Sequence, residues 1–130
     1  MDKKRVLVVD DDVTIGEMLK TGLEAMGYEV DNAMNETEVW KSIEKVKPDV
    51  ILMDVGMPGV DGITLCRNIR FSLELSKIPI IMVTAFTDQK TYHDAMLFGA
   101  DDFLTKPFEL SEVQKKIEDA IKRLNAGPQK

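Results

Sequence analysis

Acids end two of the apolar runs in this chain, and a hydroxyl and an amine end two others. The run "RVLVV" is followed by Asp10, Asp11 and Asp12, and the run Val50, Ile51, Leu52, Met53 by Asp54. "IPIIMV" leads into Thr84, and "DFLT" into Lys106 and Pro107. Carboxylates crowded together repel, and each resists ionising unless a cation compensates. A cluster rich in oxygen, in a chain with one cysteine and one histidine, suits Mg²⁺, which takes a few carboxylates and fills its other positions with water and phosphate oxygens. Lys106 would add a point charge for those oxygens and Thr84 a hydrogen bond. Together these residue types ask for a phosphoryl group.

They can cooperate only if the chain delivers them to one edge. Short apolar runs recur at 5–9, 28–33, 50–53, 78–83 and 102–105, with segments of helical period between them. The first helix offers Ile15, Leu19, Leu23 and Met26 before a stop at Gly27, the second Val39, Ile43 and Val46, and the third Cys66, Ile69 and Leu73. Tyr92, Ala95 and Met96 mark a fourth helix. Leu110, Val113, Ile117, Ala120 or Ile121, and Leu124 mark a fifth that starts near Ser111 and Glu112. Strict alternation implies right-handed crossovers and a doubly wound α/β fold, a (βα)5 parallel sheet with helices on both faces. In such sheets ligands bind at the carboxyl ends of the strands. Residues 1–126 read as one domain and 127–130, with Gly127 and Pro128, as a tail or the start of a linker.

Composition removes several function classes. At 130 residues and 44% hydrophobic content the chain is one ordinary globular domain that needs no staple. A lone Cys66 rules out an internal disulfide and a multi-cysteine zinc site and fits a reducing, cytoplasmic setting. The net charge is −6, from 17 Lys and Arg against 23 Asp and Glu, so direct nucleic-acid binding is disfavoured. No apolar run approaches the ~20 residues of a membrane span, so no membrane insertion is expected.

"VLVVDDD", "ILMDVGMPGVDG", "IIMVTA" and "DDFLTKPF", in this order and spacing, resemble the signatures of the response regulator receiver domain. The resemblance spans almost the whole chain. It implies a flavodoxin-like sheet of strand order 2-1-3-4-5. It also implies that Asp54 is the phosphoacceptor, that Asp10, Asp11, Asp54 and the Gly56 carbonyl hold Mg²⁺, and that Thr84 and Lys106 hold the phosphoryl oxygens. Phe103 would be an aromatic that switches with Thr84, and the Lys106–Pro107 bond would be cis. The implied partners are a histidine kinase or histidine phosphotransfer protein on one side and a downstream protein target or output domain on the other. Ile15, near the active edge, would help a donor dock, and Gly56 and Phe86 would flank the path of a hydrolytic water.

Other residues have plainer readings. Asp12, just before a helix, is a cap, and Asp61 and Gly62 shape a loop and start the next helix. Cys66 is a small core residue, His93 a solvated helix position, and Trp40 packing. The rival from another class is a Mg²⁺-dependent phosphohydrolase of the haloacid-dehalogenase type, with Asp10 as nucleophile and Asp12 as acid and base. Against it, Asp101 and Asp102 precede Lys106 instead of following it, and there is no length left for a substrate cap.

Overall fold

The computed structural model describes residues 3–56, 61–72, 75–85 and 88–125. Along the chain run β1 (Arg5–Val9), α1 (Val13–Ala25), β2 (Glu29–Ala33), α2 (Glu36–Val46), β3 (Val50–Met53), α3 (Gly62–Arg70), β4 (Ile80–Thr84), α4 (Gln89–Leu97), β5 (Asp102–Thr105) and α5 (Leu110–Asn125). The strands form one parallel sheet in the order β2-β1-β3-β4-β5, as the sequence implied.

The uninterrupted apolar runs of the inner strands follow from burial on both faces. Alternate residues Leu7, Val9, Ile51, Met53, Ile80 and Met82 pack against α2, α3 and α4 through Val39, Ile43, Leu65, Cys66, Ile69 and Ala95. The intervening Val6, Val8, Val50, Leu52, Ile81 and Val83 pack against α1 and α5 through Leu19, Leu23, Val113, Ile117 and Ala120. Four helices carry an aspartate or asparagine cap: Asp12 accepts from the Thr14 and Ile15 N–H groups, and Asn35, Asp61 and Asp88 from those of Glu38, Thr64 and Thr91. At α5 the Glu112 carboxylate reaches back to the Glu109 N–H. Gly27 follows the C-cap of α1 at φ 101°, the stop expected there.

The structure shifts several expected boundaries. β4 begins at Ile80 instead of 78 because residues 75–78 turn and Pro79 has no N–H for the ladder, although its carbonyl accepts from Ile51. β2 begins at Glu29 because the Tyr28 N–H closes the end of α1 on the Leu23 carbonyl. Four residues expected in the core are exposed: Met26, Tyr92, Met96 and Leu124. Met26 is the C-cap of α1. On α4, Ala95 is the buried residue, so that helix rests on a narrow stripe. Leu124 sits on the last turns of α5, whose 16 residues extend roughly 24 Å against roughly 13 Å for β5, so its end overshoots the sheet. α3 ends at Arg70, and the expected Leu73 lies outside the described residues, as do Phe86 and the tail. Among the described residues no helix is long and apolar enough to cross a membrane.

Candidate functional site

Strand register places the acids. Val9 pairs with Met53 and with Ala33, so Asp10 and Asp54 leave adjacent strands at the same level. The ladder continues through them: the Asp54 N–H donates to the Val9 carbonyl at 2.9 Å and the Asp10 N–H to that of Ala33 at 3.1 Å. Thr84 pairs with Thr105 across β4 and β5, and the next residue, Lys106, donates its N–H to the Thr84 carbonyl at 2.8 Å. The Lys106–Pro107 bond is cis, as the resemblance implied.

Carboxylate oxygens of Asp10, Asp11 and Asp54 come within 4.8 Å of one another, with Asp10 and Asp54 buried and Asp11 more open. The Lys106 ammonium lies 2.8 Å from Asp10 Oδ2 and 3.8 Å from Asp54 Oδ1. The second oxygen of Asp10 accepts from the Asp12 N–H at 2.9 Å, so Asp10 is held from two sides. Burial pushes the Asp54 carboxyl above the ordinary carboxylate range, and the negative charges of Asp10 and Asp11 add to this. Lys106 and the Gly56 backbone N–H oppose the shift without cancelling it. Asp54 is thus an acid short of positive charge. Three convergent carboxylates, one cation and one face more open than the rest fit a small oxygen-loving divalent ion that retains water.

Asp10, Asp11, Asp54 and Lys106, expected to act together, are brought together. Thr84, fully buried, joins them through the backbone at Lys106, and Gly56 lies two residues beyond the acceptor with its N–H on the carboxylate. Phe103 is partly buried and meets Tyr92 edge to face, with centroids 5.3 Å apart and planes at 71°. Ile15 is partly buried against the α1–α5 side of the core. Asp12 is engaged as the cap of α1, which takes away the second acid that the phosphohydrolase reading needs. Cys66 is buried, its thiol pushed up to about 11 chiefly by desolvation, and donates toward the Phe98 carbonyl, as a core residue would. His93 is exposed and Trp40 half-buried with its indole N–H on Glu36, both as expected.

Two features escaped the sequence reading. Tyr92 is the ring beside Phe103, and Gly62 packs directly on the Asp54 backbone, where a Cβ would stand 2.0 Å from the Asp54 carbonyl oxygen. An Asp-Gly pair opening a helix a few residues after a strand-end acid was the available signal for the second.

The sequence model of the response regulator receiver domain matches residues 6–118. The chain is 33% identical over 125 residues to the DNA-binding dual master transcriptional regulator RpaA of Synechocystis, a match covering 96% of this chain and 52% of that protein. It is 34% identical over 119 residues to the phosphate regulon transcriptional regulatory protein PhoB of Rhizobium meliloti, covering 92% and 52%. The chain thus spans about half the length of such relatives. Among solved structures it is similar to a putative response regulator from Chloroflexus aurantiacus, with TM-score 0.89, 38% identity and coverage of 94% of this chain and 100% of that one. It is also similar to the chemotaxis protein CheY4 of Vibrio cholerae, with TM-score 0.87, 30% identity and coverage of 92% and 99%.

Proposed function

The chain belongs to the response regulator receiver domains of two-component signalling, and from that premise we propose that Asp54 accepts a phosphoryl group and that the rest of the site serves this transfer. The donor is a phosphohistidine on a histidine kinase or phosphotransfer protein, or a small acyl phosphate. An Asp54 carboxylate oxygen attacks phosphorus in line and a P–O bond forms. The P–N bond to the donor imidazole, or the P–O bond to acetate, breaks, and its electron pair leaves with the donor. Asp10, Asp11 and Asp54, with the Gly56 carbonyl, would hold Mg²⁺, whose contribution when bound is to offset the crowded negative charge. The domain promotes its own phosphorylation and dephosphorylation and turns over no other substrate.

The observation that carries this reading is the meeting of three carboxylates within 4.8 Å with one lysine shared unequally between two of them. Lys106 rests on Asp10, and a phosphoryl group on Asp54 gives it a stronger partner a short swing away. Thr84 takes another phosphoryl oxygen. Phe103 follows Thr84, and since its ring already leans on Tyr92, the change reaches α4. Phosphorylation then shifts an existing two-state equilibrium that a downstream protein or an output domain reads. The receiver itself, residues 1–126, binds no nucleic acid and acts in the cytoplasm. Ile15 contributes to donor docking.

The test is intact mass after acetyl phosphate with Mg²⁺. One phosphate should add to the wild type and none to Asp54→Asn, while Asp10→Asn should react roughly 10-fold or more slowly through loss of the metal site. Phosphate retained by Asp54→Asn and lost by Asp10→Asn would instead favour the phosphohydrolase.

A further inference from the structure

The nine residues of α3 are fastened at both ends, and the two fastenings differ in kind. At the amino end, Gly62 is buried against the strand that carries the acceptor. Its N–H donates to the Val55 carbonyl at 2.8 Å. A Cβ on it would lie 2.0 Å from the Asp54 carbonyl oxygen, 2.9 Å from the Asp54 carbonyl carbon and 3.0 Å from Met53 Cγ. The first two obstacles are backbone and cannot rotate away. At the carboxyl end Arg70 reaches three acceptors in different segments: the Gly99 carbonyl after α4, the Ile78 carbonyl before β4, and Asp101, whose carboxylate also takes the Ile80 N–H. Gly99, at φ 109°, lets Arg70 in, since a Cβ there would stand 2.7 Å from Arg70 Cγ. Between the ends, Leu65, Cys66 and Ile69 are buried in the core.

We propose that Gly62 is a positioning residue for Asp54: α3, anchored by Arg70, presses its glycine onto the acceptor's backbone and fixes where the carboxylate points. This rests on Asp54 being the acceptor. Attack on phosphorus needs alignment, and a misplacement near 1 Å lowers a rate by about 10²-fold. Because the helix is held at Arg70, a side chain at position 62 cannot be accommodated by sliding the helix away. The displacement falls on Asp54.

That reasoning sets an unusual sign for a double-variant cycle. Gly62→Ala should take up phosphate from acetyl phosphate with Mg²⁺ roughly 10- to 100-fold more slowly than the wild type. Arg70→Ala should melt earlier yet react within about threefold of the wild-type rate, because with no side chain at position 62 to push it off, the helix stays seated through buried Leu65, Cys66 and Ile69; Arg70 matters to the rate only when the helix is forced to retreat. Combined, Arg70→Ala should restore at least about fivefold of the rate lost in Gly62→Ala, because the released helix can retreat, although the double variant melts lowest of all. In metal-free protein the amide shifts of residues 54 and 55 should move in Gly62→Ala and return toward wild type in the double variant. A purely structural glycine predicts the opposite: two destabilising changes together react more slowly than either. A wild-type rate for Gly62→Ala, or a double variant no faster than Gly62→Ala, overturns the proposal. Should Gly62→Ala show no thermal transition, both variants are compared in an osmolyte such as trimethylamine N-oxide that favours the folded state; there a double variant at least about fivefold faster than Gly62→Ala supports the proposal, and one no faster overturns it. Asp54→Asn is the control. Phosphate on that variant removes the acceptor reading and this proposal with it, whereas with that variant unlabelled the cycle judges Gly62 by itself.

Discussion

The two edges of the sheet handle charge in opposite ways. At the edge where the strands begin, Arg70 donates to two carbonyls and to Asp101, and Asp101 also accepts a strand N–H. Near it, Asp102 is paired with Lys116 at 3.0 Å. At the edge where the strands end, three carboxylates share one ammonium, and Asp54 is left with its carboxyl raised above its usual range by burial and by its acidic neighbours. Matched charge fastens segments to one another. Unmatched negative charge stores a demand that a divalent metal ion can meet, and such sites are where perturbed carboxyls gather.

The comparison can be broken by removing one cation from each edge. Arg70→Ala strips two part-buried carbonyls and the Ile80–Asp101 corner of a partner, and should cost about 2–3 kcal/mol, with the ion pair to half-exposed Asp101 adding little. Lys106→Ala should cost less, on the order of 1 kcal/mol, because Lys106 makes one close ion pair and Asp10 keeps its hydrogen bond from the Asp12 N–H. It should still bind Mg²⁺ but respond weakly to phosphorylation. Urea unfolding of both variants measures the difference, and a Lys106→Ala loss larger than that of Arg70→Ala would erase the distinction between the edges.

A smaller effect sharpens the contrast. A carboxyl whose folded pKa is raised binds more protons in the folded than in the unfolded state, so its contribution weakens stability as pH rises from the unfolded value through the folded one. In metal-free buffer at neutral pH, ionised Asp54 therefore opposes folding, and Asp54→Asn should melt a few degrees higher than the wild type. The gap should close as pH falls into the ordinary carboxylate range. Melting curves across that range check it, and an Asp54→Asn protein less stable at neutral pH would show that the acid is matched after all.

What the sequence disclosed followed the range of each interaction. β1 and β3 were legible because burial on both faces leaves an unbroken apolar run. The Asp12 and Asp61 caps were legible because a cap is made within three residues. The four strand-end groups were legible as types, and the parallel alternation said they would share an edge. The start of β4 was misplaced because Ile78 and Pro79 look like strand but belong to a turn. The exposed side of α4 was misread because Tyr92 and Met96 have core-like period while Ala95 does the packing. The Arg70–Asp101 fastening spans 31 residues and the Lys106–Asp10 pair 96, and no local pattern announces either distance. The close approach of Gly62 to the Asp54 backbone joins two different elements, and no local pattern announces that distance either.

The central claim is that the unmatched edge delivers its chemistry through one atom group, the Asp54 carboxylate. Borohydride reduction converts an acyl phosphate to an alcohol, so after acetyl phosphate and Mg²⁺, reduction and peptide sequencing by mass spectrometry mark the acceptor directly. The account predicts homoserine at position 54 and unmodified aspartate at positions 10, 11 and 12. Homoserine at Asp10 with Asp54 intact would contradict it.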